Sequence, residues 1–268
     1  MKKTVLPFLL SLVAATALPA QARQSDDSFT WSGRVATGKW IRVKNLNGGV
    51  TVGAATGDRV ELTATKRWRR GDPQDVRIDV KKSGTNDENI LVCALWFDDT
   101  VCTERDYEVH GNNRRNRNDR NDVSVDFRIL VPKGVKVGIN TVNGSVLVEG
   151  ATAAVDAETV NGQVEVTTEG GPVNANTVNG VVRARVGRID SSENMSFSTV
   201  NGSVIAEFIG DVNADVDLST VNGSLRTDFE ITLTGRLDPK HLRAHIGKPG
   251  GPRITLSTVN GSVELRRR

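Results

Sequence analysis

The sequence predicts an all-β protein dominated by a parallel β-solenoid, on three observations. Thr-Val-Asn-Gly occurs six times, at residues 141–144, 159–162, 177–180, 199–202, 220–223 and 258–261. Successive copies lie 18, 18, 22, 21 and 38 residues apart. Between them, apolar and polar residues alternate with the period of a half-buried strand. A turn signal recurring roughly every 20 residues, each time with short strands, marks a stack of coils.

Each coil supplies two strands. After the Asn-Gly come Val146 and Val148, then Val164 and Val166, then Val182 and Ala184, with the series continuing through Val204, Ala206 and Phe208, through Leu225 and Phe229, and through Val263 and Leu265. Before the motif stand Val137 and Ile139, Val155 and Ala157, Val173 and Ala175, Met195 and Phe197, Val216 and Leu218, and Ile254 and Leu256. Equivalent strands stacked in parallel would be ~4.8 Å apart. An antiparallel meander with two-residue Asn-Gly hairpins remains the local alternative.

The turn repeats have a structural reading. Asn143-Gly144, Asn161-Gly162, Asn179-Gly180, Asn201-Gly202, Asn222-Gly223 and Asn260-Gly261 place glycine where φ > 0 costs nothing, and asparagine where left-handed geometry is tolerated. Stacked asparagine amides would bond along the axis. An earlier, degenerate copy includes Asn47-Gly48.

Residues 1–22 read as a secretory signal peptide. Lys2 and Lys3 precede an apolar stretch from Val5 to Leu18, and Ala20-Gln21-Ala22 forms the cleavage site. Retention of this segment as a membrane anchor is the alternative. No later run approaches the ~20 apolar residues that cross a bilayer. The expected product is therefore exported to the periplasm, cell envelope or medium, with no transmembrane segment after cleavage.

The full chain carries 35 basic and 32 acidic residues. Without Lys2 and Lys3 it is nearly neutral, which argues against a nucleic-acid partner. Residues 23–122 form an N-terminal β region with a hairpin insertion and an Arg/Asn-rich loop at 110–122. Residues 123–268 form the repeat zone, continuous with it as one unit, and 123–140 is expected to be the first coil.

Cys93 and Cys102 are the two cysteines. In an oxidising compartment the simplest reading is one disulfide, stapling a hairpin of strands 89–96 and 101–104 around a tight turn. Metal binding by two cysteines or a redox pair fits this spacing less well.

Residues 238–247 run from Asp-Pro to Gly, a helix start-and-stop signature that predicts one short helix. His241 and His245 would share its face, either as exposed polar residues or as metal ligands lacking a third partner. Two basic clusters, 66–70 and 114–117, read as solvated surface; the first, with Trp68 inside it, could instead dock an anionic glycan or lipid headgroup.

A polysaccharide-active β-helix enzyme is the minority reading and a lesser rival to the scaffold. A polysaccharide-cleaving β-helix needs paired carboxylates beside aromatic platforms. The later coils hold only Phe197, Phe208 and Phe229, all predicted inward. No catalytic residue, cofactor site or metal site is expected. The outward columns carry Glu165, Arg183, Arg185 and Glu207, the candidate binding face.

The Thr-Val-Asn-Gly-Ser-Val units resemble those of the bacterial putative-adhesin domain family of exported proteins of unknown function. The segment Ile246-Gly247-Lys248-Pro249-Gly250-Gly251-Pro252-Arg253-Ile254-Thr255-Leu256-Ser257-Thr258-Val259-Asn260-Gly261 is similar to that family's closing segment. The resemblance spans roughly residues 29–265. It implies a β-solenoid at the cell envelope that binds surface or envelope components, a glycan or a protein, without agreed catalytic residues. Some members are associated with envelope-stress responses, so a signalling partner protein is the rival expectation.

Overall fold

The computed structural model describes residues 27–96, 99–108, 121–189, 192–233, 238–248 and 250–268, and the backbone of 21–24. The expected signal peptide (1–20 of its 22 residues), residues 97–98 of the hairpin turn and most of the Arg/Asn-rich loop, with its 114–117 cluster, lie outside them.

Two eleven-stranded mixed sheets pack face to face over one apolar core. In the first sheet the order is 21–24, 28–33, 60–67, 124–131, 50–54, 146–151, 164–170, 182–188, 204–208, 263–267, 225–227. In the second it is 77–83, 89–95, 40–44, 136–140, 155–158, 173–176, 195–201, 253–260, 214–222, 241–246, 231–233. The middle of each sheet is parallel, from 124–131 to 225–227 in the first. The parallel run in the second extends from 89–95 to 214–222. The described antiparallel pairings of these sheets lie at their ends.

Register follows the alternation read from sequence. Val146, Val164, Val182, Val204 and Val263 align across the first sheet and are each 0–1% exposed. Across the second, Ile139, Ala157, Ala175, Phe197, Leu256 and Leu218 align and face the same core. A one-residue slip would turn every one of these side chains outward, so the apolar pattern fixes the register.

Layer order departs from chain order at two places. The last strand pair, Arg253–Asn260 and Val263–Arg267, does not lie at the end of the stack. It is inserted between Met195–Asn201 with Val204–Phe208 on one side and Ala214–Asn222 with Leu225–Thr227 on the other. Near the other end, Ser124–Val131 and Lys136–Asn140 flank the strand pair Trp40–Lys44 and Val50–Ala54 on opposite sides. Residues 123–140 are therefore not one coil: their two strands belong to different layers. A motif that bonds identically to any copy of itself does not specify which copy is its neighbour.

The predicted helix at 238–247 is absent, and His241–Ile246 is a strand antiparallel to Ala214–Asn222. Leu242, Ala244 and Ile246 are buried at every second position, so alternation outweighs the start-and-stop signal. The Asp-Pro element makes a turn instead, where Asp238 Oδ1 accepts from the Lys240 amide at 2.8 Å.

The cysteine segment also differs from expectation. Cys93 and Cys102 are bonded, but Val101–Cys102 pairs with Tyr107–Glu108, not with Asn89–Leu95. Asn89–Leu95 already has partners on both sides, Trp40–Lys44 and Arg77–Ser83. The disulfide thus ties a separate two-stranded flap to the second sheet. Lys81 Nζ donates to the Cys102 carbonyl at 2.7 Å and Tyr107 Oη to the Ala94 carbonyl at 2.6 Å, which holds the flap down.

Candidate functional site

The repeat corner is built residue by residue. Each motif threonine is 1–5% exposed. Its hydroxyl donates to a glycine carbonyl of the adjacent layer: Thr141 to Gly48, Thr159 to Gly144, Thr177 to Gly162, Thr199 to Gly180, Thr258 to Gly202 and Thr220 to Gly261, at 2.8–3.1 Å. Burying a hydroxyl is tolerated because it is bonded. In the degenerate copy the buried Asn45 takes the threonine position and donates to the Val125 carbonyl at 2.9 Å.

The asparagines form a one-way amide ladder. Asn143 donates to Asn47, Asn161 to Asn143, Asn179 to Asn161, Asn201 to Asn179, Asn260 to Asn201 and Asn222 to Asn260, at 2.7–2.9 Å. Glycine follows for two reasons. Gly48, Gly202 and Gly261 have the expected positive φ, at 117°, 157° and 153°, whereas Gly144, Gly162, Gly180 and Gly223 do not, and no motif asparagine is left-handed. At Gly144, Gly162, Gly180 and Gly223 a Cβ would overlap the carbonyl of the glycine in the next layer. At these four, close backbone approach rather than φ excludes other residues.

Valine is the motif position without such a partner. Val160, Val178, Val200, Val221 and Val259 are 38–61% exposed and stand in a column beside the asparagine ladder.

On the outer face of the first sheet the structure brings together three of the four predicted binding residues. Arg185 donates through Nη1 to Glu165 at 3.2 Å and through Nε to Glu207 at 3.0 Å. Arg266 extends the network to Glu264 and lies 3.6 Å from Glu207. Arg183 shares the face, in register with Glu165 and Ile205, outside the ion pairs of that network. The acids of this network therefore each face a cation.

The outer face of the second sheet holds His241 and His245. His241 Nε2 lies 2.8 Å from Asp217 Oδ1, and Arg243 Nε donates to Asp217 Oδ2 at 3.1 Å. His245 Nδ1 pairs with Asp215 Oδ1. On a strand rather than a helix, each imidazole meets its own aspartate, and among the described residues no group of three His, Cys, Asp or Glu is placed to hold a metal. The basic cluster at 66–70 is engaged in part: Lys66 is buried with Nζ on the Pro73 carbonyl and Arg67 pairs with Asp126 at 3.0 Å, whereas the exposed Arg69 and Arg70 bond Asp122 through their backbone amides rather than their guanidinium groups.

Sequence reasoning missed a pocket on this second face. Arg42, Lys44, Asn140, Asp156 and Glu158 meet there under the Glu104-Arg105 flap. The signal available was Gly138, a glycine interrupting a strand pattern, which marks a close approach.

No protein-family model matches the chain, and no curated protein matches it. Two solved structures are similar in outline. One is a putative cell adhesion protein from Clostridium sporogenes, at 8% identity, covering 92% of this chain and 100% of that one with a TM-score of 0.43. The other is a putative adhesin from Bacteroides fragilis, at 11% identity, covering 91% of this chain and 98% of that one with a TM-score of 0.39.

Proposed function

We propose that the chain is an exported, non-enzymatic scaffold that binds components of the cell envelope. In this reading the parallel stretches form a β-solenoid, and its corner is the working surface. The observation that carries the reading is the valine column. Three motif positions have bonds or close contacts that hold the layers together, whereas valine recurs in every copy and projects outward in five of them. An apolar column beside a fixed amide ladder, repeated at strand spacing, suits many weak contacts made at once with an equally repetitive partner.

The non-enzymatic part of the reading is supported by Arg185, which pairs with both Glu165 and Glu207 on the predicted binding face. Export is supported by the N-terminal sequence pattern and by the disulfide. No helix among the described residues is long and apolar enough to cross a membrane. The signalling alternative has less to rest on. Trp31 and Trp96 are buried and Trp40 lies against Arg42 and Lys136, leaving Trp68 as the exposed tryptophan.

Two variants separate the surfaces. Val178→Asp with Val200→Asp changes the corner, and alanine at Glu165, Arg183, Arg185 and Glu207 changes the charged face. Co-sedimentation with envelope fragments should weaken at least tenfold in the valine variant, with smaller loss in the alanine variant. Wild-type retention in both would overturn the proposal. Loss confined to the alanine variant would move the binding surface to the charged face.

A further inference from the structure

The pocket on the second sheet has features of a built ligand site. Its floor consists of outward positions on three adjacent parallel strands: Arg42 and Lys44, Gly138 and Asn140, Asp156 and Glu158, aligned in two rows. Its roof is Glu104-Arg105 of the disulfide-tethered flap, with Glu104 held by Ser83 Oγ at 2.8 Å and Asn89 Nδ2 at 2.9 Å. The enclosed space is about 200 Å³.

Two cationic groups in it are only partly compensated. Lys44 is 8% exposed, and Glu158, Asp156 and Asp106 act on its charge without a hydrogen bond to its ammonium among the described residues. Arg42 lies flat over Gly138, where a Cβ would strike its side chain, stacks 4.1 Å from the Trp40 ring and reaches Asp156 at 3.6 Å. Its buried Nε has no acceptor. Buried donors left unpaired are rare and costly, and such groups mark a strained or functional place.

The carboxylates are also incompletely compensated. Glu158 accepts from Asn140 Nδ2 at 3.0 Å, and Asp156 sits two residues away on the same face. Burial raises the Asp156 pKa, Glu158 adds to the shift and Arg42 opposes it. Burial is likewise the chief reason Lys44 titrates below its ordinary range; Glu158 opposes that shift and Arg42 adds to it. Arg42, Lys44 and Arg105 balance Glu104, Asp156 and Glu158, so neither a polyanion nor a polycation matches the lining.

We infer that this pocket binds a small zwitterion, carrying a carboxylate and an ammonium group a few ångströms apart. The ligand carboxylate meets Lys44 and Arg42, and its ammonium meets Asp156 and Glu158. Each ligand charge then meets side chains of opposite sign that the pocket compensates only in part, including the unpaired Arg42 Nε, through charge-assisted hydrogen bonds. The volume suits one amino acid or one amino-sugar acid. This site lies on the sheet opposite the Arg185 network and does not depend on the valine column.

The test is calorimetric titration of the disulfide-intact protein with L-alanine and with muramic acid, against acetate and methylamine. Saturable binding of at least one zwitterion is expected, at least tenfold tighter than either single-charge control. Lys44→Met and Asp156→Asn should each weaken it tenfold or more while the melting transition stays cooperative. Preference between the two zwitterions identifies the source as a free amino acid or an amino-sugar unit. Absence of zwitterion binding, equal binding of acetate, or unchanged affinity in both variants would overturn the inference. Lys44→Met also separates ligand binding from scaffolding, because a lysine needed only for structure would lower the melting temperature when replaced.

Discussion

At the scale of single residues, glycine and lysine make opposite demands. Gly162→Ala places a methyl against the Gly144 carbonyl and should cost roughly 2–4 kcal/mol, in the range of other steric clashes in packed regions. Gly57→Ala, with no atom within 4 Å and no left-handed φ, should be neutral or gain about 0.4–1 kcal/mol. Urea melts of the two variants measure the contrast. Lys44→Met should raise stability, since desolvation of the ammonium outweighs its attraction to Glu158 and Asp156 and the methionine keeps the stem. The pH dependence has a definite sign. Because the folded Lys44 pKa lies below its ordinary 10.5, the unfolded chain binds more protons between the two values. Wild-type stability should therefore gain a rising contribution from Lys44 as pH increases through that window, and Lys44→Met should lose it. Much at this scale was legible in sequence, including the motif and its asparagine ladder. The reason for the glycines was legible in part: Gly48, Gly202 and Gly261 have the expected positive φ, but the clash that excludes a Cβ at the others comes from a residue 15 or more positions away.

At the scale of elements, period-two alternation proved the stronger guide and end signals the weaker. Leu242, Ala244 and Ile246 set a strand where Asp238, Pro239 and Gly247 had indicated a helix. The cysteines predicted a covalent tie, but pairing by proximity in sequence placed Val101–Cys102 beside Asn89–Leu95, whose two edges were already taken. The flap has a small core of its own around Leu91, Cys93 and Cys102. Replacing both cysteines with serine should cost about 2–3 kcal/mol by the chain-entropy estimate for a short loop. Hydrogen exchange should then rise first at residues 101–108, with the second sheet retaining its protection. The pocket roof depends on this flap, so the same variant should also weaken zwitterion binding.

At the scale of the whole molecule, the corner repeats make a one-dimensional stack in which each layer contacts its neighbours. The order of layers could not be read from the chain, because Thr220 and Thr258 both fit a Gly-carbonyl acceptor of any copy. In the structure Thr258 bonds Gly202 and Thr220 bonds Gly261, which places the last coil inside the stack. Truncation before Arg253 therefore removes an interior layer. Hydrogen exchange of the truncated chain should show lost protection over 214–222 and 241–246, weakened protection over 195–208, and near-native protection over 136–176. Uniform loss along the chain would show that the layers do not behave as nearest neighbours. The ends of both sheets are blunted by antiparallel strands or three-residue edges, Leu225–Thr227 and Ile231–Leu233, which limits further stacking between copies.

The binding proposal unites these scales: a rigid interlocked corner presents one apolar column and one amide ladder at a constant spacing. Its most direct test is equilibrium binding of the fluorescently labelled protein to purified bacterial envelope fragments, with reducing ends assayed in the same samples. The account predicts saturable binding, competition by unlabelled protein, and no new reducing ends. Non-saturable adsorption, or release of reducing ends that tracks protein concentration, would contradict it.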